Sequence, residues 1–248
     1  SSQGDTEHAI KNLSKAVELK PQDAISHFNM GNALQATGSL ESAIVSFKKG
    51  LIIQPNVAEA YYNIGNALVG KGDFDAAIDS YKQALKIKPD YTDAYYNMGR
   101  ALKNTGDFDA AIDSYKQALK IMPDFADAYN NMGNALTGQG KLEEAIESFK
   151  QVLKIKPDYA DACFNMGNAL KDKGDLDAAI DSYKQALKIK PNFSAAYNNI
   201  GFALKEQGKF EEAIEAYRKT LAIKPDYAEA NNNMGLALLA TQNFQQGF

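Results

Sequence analysis

Across residues 92–125 the apolar positions fall into two helical stripes separated by a glycine. In the first half Tyr95, Met98, Gly99 and Leu102 recur at i, i+3, i+4 and i+7, the spacing that lines one face of a helix. In the second half Phe108, Ala111, Ile112, Tyr115, Ala118 and Leu119 do the same. Gly106 marks the break, with Asp107 or Phe108 opening the second helix. Pro123 ends it, because proline lacks the N–H and its ring clashes with the preceding turn. Asp124 is then placed to cap the next helix. The pattern predicts helix A, a tight turn, helix B and a short proline turn.

The same pattern returns every 34 residues. All seven prolines, Pro21 to Pro225, keep this spacing, as do the glycines from Gly31 to Gly235 and from Gly4 to Gly208. A period of this length means one supersecondary unit stacked many times, with no single globular core. Six full units run over 24–57, 58–91, 92–125, 126–159, 160–193 and 194–227. Residues 1–23 read as the second helix of a preceding unit, and 228–248 as helix A plus the opening of another helix B. The chain begins and ends in mid-unit, without polar capping repeats, so 1–248 is expected to be one solenoid cut from a longer protein. Gly99 is expected to let a neighbouring backbone approach helix A, despite costing roughly 1 kcal/mol in a helix interior. Ala111 and Ala118 do this on helix B, with Gly50 and Gly247 standing in elsewhere.

The run of Tyr95, Met98, Gly99, Leu102, Gly106, Ala111, Tyr115, Ala118 and Pro123 resembles the tetratricopeptide repeat (TPR), and the resemblance covers essentially the whole chain. It implies an all-α fold: a right-handed superhelical α-solenoid of tandem helix-turn-helix repeats whose A helices line a concave groove. It also implies a protein–protein interaction scaffold that holds an extended peptide or a partner helix in that groove. The alternative reading is the substrate-recognition arm of a larger enzyme, such as a glycosyltransferase, whose catalytic domain lies outside this chain.

Composition narrows the partners. With 27 basic and 31 acidic side chains and a pI near 5.3, the chain lacks the basic surplus of a nucleic-acid binder. No apolar run approaches membrane-spanning length, and no cleavable signal opens the chain. The lone Cys163 suits a reducing, cytoplasmic location. It occupies the slot of Tyr61, Tyr95, Tyr129 and Tyr197, as His27 does, and both read as core residues. Two histidines, His8 and His27, are too few for a catalytic or metal site. Phosphate-loop, dinucleotide and nucleophile-elbow motifs are absent, so no catalytic residue, metal or cofactor is assigned and the chain reads as non-enzymatic.

Candidate binding residues lie on the face of helix A opposite its apolar stripe, the face that the resemblance turns toward the groove. One row is asparagine throughout: Asn29, Asn63, Asn97, Asn131, Asn165, Asn199 and Asn233. These seven give up on the order of 3 kcal/mol of helix propensity. A carboxamide both donates and accepts, so such a ladder can grip a peptide backbone whatever its sequence; it resembles the ladder in the repeat arm of O-linked N-acetylglucosamine transferase. Replacing its members by alanine is expected to leave the fold intact. A second row is acidic: Glu59, Asp93, Asp127, Asp161 and Glu229. Each lies three residues after the expected N-caps Asn56, Asp90, Asp124, Asp158 and Asp226, where capping and the helix dipole account for it. A third row varies: Phe28, Tyr62, Tyr96, Asn130, Phe164, Asn198 and Asn232. Variation among near-identical copies is where specificity is expected. Asn63, Asn97, Asn131, Asn165 and Asn199, with Tyr62, Tyr96, Phe164, Arg100 and Phe202, form the expected partner-binding set. A lysine- and arginine-rich carboxylate clamp, used by chaperone-tail binders of this family, is not expected, because Arg100 alone is basic there. Phe202, Leu236 and Leu239 replace Asn168 and Lys171 and turn the face apolar; together with the uncapped ends, this predicts weak self-association.

Overall fold

The structure is a computed structural model that describes the backbone of residues 3–246 and the side chains of residues 8–241. Among the described residues there are fourteen helices and no strand. A leading helix B, α1 (Gln3–Leu19), is followed by six A/B pairs. These are α2 (Ala24–Ala36) with α3 (Leu40–Ile53), α4 (Ala58–Lys71) with α5 (Phe74–Ile87), and α6 (Thr92–Thr105) with α7 (Phe108–Ile121). Then come α8 (Ala126–Gly138) with α9 (Leu142–Ile155), α10 (Ala160–Lys173) with α11 (Leu176–Ile189), and α12 (Ser194–Glu206) with α13 (Phe210–Ile223). A last helix A, α14, spans Ala228–Gln246. The helices group into two units, Ser1–Pro123 and Asp124–Phe248.

Backbone chirality makes the A–B turns. Gly38, Gly72, Gly106, Gly140, Gly174 and Gly208 all adopt φ between +73° and +90°, the left-handed region that a Cβ disfavours. In α14 the equivalent residue is Gln242, and the helix runs on to Gln246 without a break. A turn that needs a glycine is replaced by continued helix where the glycine is missing. Gly247, expected on a further helix B, lies outside the described residues.

Side chains cap the B helices α5, α7 and α11, but not α3, α9 or α13 and not most A helices. Asp73, Asp107 and Asp175 accept from the backbone N–H of Ala76, Ala110 and Ala178 at 3.3, 3.1 and 3.2 Å. The expected A-helix caps are corrected by one residue: the N-caps are Val57, Tyr91, Phe125 and Tyr159, none with a side-chain bond. Asn56, Asp90, Asp124 and Asp158 precede them. The reason is the proline turn. Tyr91 N–H donates to Lys88 C=O at 3.2 Å, which closes a turn around Pro89 and Asp90 and leaves Asp90 one residue short of the cap site. Only α2 is capped as expected in kind, by Asp23 accepting from Ser26 N–H at 3.0 Å.

The core repeats with the chain. Ala43, Ala77, Ala111, Ala145, Ala179 and Ala213 are fully buried on the B helices. Opposite them, the helix A glycines receive an aromatic ring, not a backbone as the sequence suggested. A Cβ on Gly65, Gly99, Gly167 or Gly201 would lie 2.5–2.7 Å from the ring of Tyr81, Tyr115, Tyr183 or Tyr217 of the same repeat. His27 and Cys163 are buried as expected. Burial pushes the Cys163 thiol pKa up, which keeps it protonated and unreactive.

Candidate functional site

Within each unit, the asparagine row forms hydrogen bonds between consecutive repeats. Asn63 Nδ2 donates to Asn32 Oδ1 of the preceding repeat at 3.0 Å. Asn97 Nδ2 reaches Asn66 Oδ1 at 3.2 Å and Tyr62 Oη at 2.9 Å. In the second unit Asn165 Nδ2 donates to Asn130 Oδ1 at 3.2 Å and Asn199 Nδ2 to Asn168 Oδ1 at 2.9 Å. The tyrosine that fills the glycine notch joins in: Tyr81 Oη donates to Asn66 Oδ1 at 2.8 Å and Tyr183 Oη to Asn168 Oδ1 at 2.9 Å. Each such bond is worth about 1 kcal/mol net, enough to offset the helix-propensity cost of one asparagine. These bonds offset the propensity cost, and alanine replacements are no longer expected to be neutral for the fold. Asn63, Asn97, Asn131, Asn165 and Asn199 are all half-buried, so the row still reaches the surface.

Asn32, Asn66 and Asn168, which accept from the ladder, were missed as its partners. Their signal was in the sequence: an asparagine recurring three residues after four of the seven ladder members, with a phenylalanine or tyrosine following it fifteen residues on.

Two of the six full repeats break that second row, as does Leu236 in the last, partial one. Arg100 replaces the asparagine in one and Phe202 in the other. The tyrosines they would have served, Tyr115 and Tyr217, keep buried hydroxyls with no hydrogen-bond partner. Arg100 is exposed, donates from Nη1 to Asn97 Oδ1 at 3.3 Å, and lies 5.9 Å from the Tyr96 ring centre. Phe202 is half-buried between the ammonium groups of Lys205 and Lys171, 5.0 and 5.6 Å from its ring centre.

The variable row proves to be a packing position. The Tyr62 ring stacks at 4.9 Å on Tyr91 and 5.9 Å from Tyr81, and the Phe164 ring lies 4.7 Å from Phe193 and 5.7 Å from Tyr183. Tyr96 lies 6.1 Å from Tyr115. Asn130 and Asn198, in the same row, are buried, not open as the helical projection suggested. Size is exchanged with helix B. Where the row carries Phe28, Tyr62, Tyr96 or Phe164, the residue twenty-two positions later is Gly50, Ala84, Ala118 or Ala186. Where it carries Asn130 or Asn198, that residue is Val152 or Thr220, both fully buried. A Cβ on Gly50 would sit 2.3 Å from the Phe28 ring, so the two positions compete for one volume.

The acidic row lies in the first turn of the A helices, where it complements the dipole; without side-chain caps beside it, the reciprocal capping box does not form. Glu59 pairs with Lys88 at 3.8 Å, and Asp127 accepts from Tyr159 Oη at 2.7 Å. Leu236, Leu238 and Leu239 of α14 are exposed. Among the described residues no cluster of three metal-ligating side chains occurs, and no helix is long and apolar enough to cross a membrane.

Comparison with known proteins agrees with this geometry. The chain is similar to a solved structure described as YrrB, a TPR protein with an unusual peptide-binding site. The two share 29% identity over 76% of this chain and 97% of that one, with a TM-score of 0.67. It is similar to the crystal structure of MamA at 31% identity, over 67% of this chain and 97% of that one, with a TM-score of 0.63. The C-terminal part of a TPR repeat-containing protein from Cytophaga hutchinsonii shares the fold: 18% identity, 93% and 95% coverage, TM-score 0.79. No curated protein matches in sequence. The family model of the TPR repeat matches residues 2–38, 36–72, 65–106, 99–140, 133–173, 167–208 and 203–242. With matches over nearly its whole length and a helix pair in every full repeat, the chain belongs to the tetratricopeptide repeat family.

Proposed function

We propose that the chain is a protein-interaction scaffold that holds an extended peptide along the outer face of its A helices. The observation that carries this reading is the row Asn63, Asn97, Asn131, Asn165 and Asn199, kept in every repeat and half-buried at the surface. Each amide nitrogen with a described bond is committed to a neighbouring repeat, so a peptide would meet the carboxamide oxygens, which accept from its backbone N–H groups. The aromatic edges of Tyr62, Tyr96 and Phe164, with Arg100 and Phe202, flank the row and supply side-chain contacts. The described peptide-binding site of YrrB supports the same use of this fold. The buried, protonated Cys163 fits a cytoplasmic setting.

The test is a fluorescence titration with several fluorescein-labelled dodecapeptides, capped at both ends, rich in Ser, Thr and Pro and unrelated in sequence. Asn97, Asn131 and Asn165 changed together to alanine should weaken all of them by about 0.5–1.5 kcal/mol per lost hydrogen bond. Urea unfolding of the same variant separates that loss from loss of fold. A variant that remains folded and binds every peptide like the parent sinks the assignment, and the row is then a packing seam only.

A further inference from the structure

We infer that Arg100 forms an anion subsite that receives an acidic side chain of the bound peptide. This rests on the peptide-binding reading above and adds a sequence preference to it. A cleft of about 260 Å³ is lined by Asn66, Val69, Gly70, Tyr81, Asn97, Arg100 and Asn104. Its walls hold three carboxamides and one guanidinium, and burial pushes the Tyr81 pKa up, which keeps that phenol neutral. Among the described residues no carboxylate lies within ion-pair distance of Arg100, which donates a hydrogen bond to Asn97 Oδ1. Glu59 and Asp93 sit in the first turns of their helices; Asp93 is seven residues before Arg100, about 10 Å along the axis, one Debye length away. The cleft is thus a cationic site with neutral donors and no internal counter-ion.

The substitution that creates it is costly for the fold. Arginine in place of the asparagine leaves Tyr115 Oη buried without a partner, a penalty for a hydroxyl that Tyr81 and Tyr183 avoid through Asn66 and Asn168. A planar guanidinium offers a fork of donors suited to a carboxylate, which the replaced asparagine does not. The occupant that matches is one carboxylate carried by a peptide already held along the asparagine row.

The experiment compares three further labelled dodecapeptides of one sequence: two capped at both ends with a central Glu or a central Gln, and one with the central Gln and the C-terminus left free. On the parent protein the Glu peptide is expected to bind about three- to tenfold tighter than the capped Gln peptide, and the preference should shrink in high salt. Arg100→Asn restores the residue of the other repeats and should level the Glu and Gln peptides; Arg100→Gln provides the same reading if the first variant is poorly folded. Equal binding of Glu and Gln peptides to the parent overturns the subsite while leaving the scaffold reading in place. A gain confined to the free C-terminus overturns the side-chain assignment in favour of a terminal carboxylate. No binding by any peptide defeats the scaffold reading, and the subsite with it.

Discussion

Gly167→Ala and Gly235→Ala are the same substitution at the same register of the repeat, and they should change stability in opposite directions. At Gly167 a Cβ would lie 2.5 Å from Tyr183 Cε1 and 2.7 Å from Cδ1, where carbon atoms normally stand about 3.5–4.0 Å apart. The ring must retreat by about 1 Å, and it has nowhere to go. Tyr183 is fully buried, its hydroxyl is tied to Asn168, and Phe164 covers another side. Overpacking of this kind costs about 1–3 kcal/mol, from which alanine's better helix propensity returns about 1 kcal/mol. The net expectation is a loss of about 0–2 kcal/mol. At Gly235 nothing among the described residues stands within 4 Å of the added methyl, so only the propensity gain remains, about 0.5–1 kcal/mol. Urea unfolding followed by far-ultraviolet circular dichroism measures both. Hydrogen exchange should place the loss in α10 and α11, because solenoid stability sums over repeats and interfaces. If Gly167→Ala stabilises the chain as much as Gly235→Ala does, the ring-in-notch contact is not what holds glycine in this row.

Two further outcomes follow from the local structure. Asp107→Ala removes a bonded cap and should cost about 1 kcal/mol, whereas Asp90→Ala, one residue outside the cap site, should cost less than half of that; paired urea titrations decide, and equal losses would refute the cap assignment. Burial raises the pKa of Tyr81, Tyr115, Tyr183 and Tyr217, and pushes Tyr91 up to about 12. A raised folded-state value means their contribution is complete below the unfolded value of about 10 and lost as pH climbs above it. Alkaline spectrophotometric titration should show these phenols ionising late and together with unfolding; normal ionisation in a folded chain would contradict it.

Repeat length, helix order, the glycine turns and the buried alanines were all legible in the sequence, because each is a property of one helix or of one turn. The A-helix caps were not, because Pro89 and Asp90 form a turn whose closing bond, Tyr91 N–H to Lys88 C=O, shifts the helix start by one residue. The role of the asparagine ladder was not legible either. Helical periodicity reports which face a residue occupies, whereas Asn97 spends its amide on Asn66 and Tyr62 of another repeat. A contact between copies leaves no mark in the period, since every copy carries both partners. It shows only when partners are compared across copies, as with the exchange of Tyr62 and Ala84 for Asn198 and Thr220.

That exchange separates two kinds of variation that look alike in the sequence. In the row of Tyr62 the aromatic residues of helix A face glycine or alanine on helix B and the small Asn130 and Asn198 face the larger Val152 and Thr220, so packing explains the exchange. At Arg100 and Phe202 no compensating change exists. Tyr115 and Tyr217 have not become phenylalanine, the residue that Phe47 and Phe149 show to be acceptable there. Each instead retains a buried, unpartnered hydroxyl, at a cost of about 1–3 kcal/mol. A rule kept by most repeats and broken without repair in two marks positions where stability was given up for something else. On the proposed peptide-binding reading, specificity is therefore expected at Arg100 and Phe202 more than in the aromatic row.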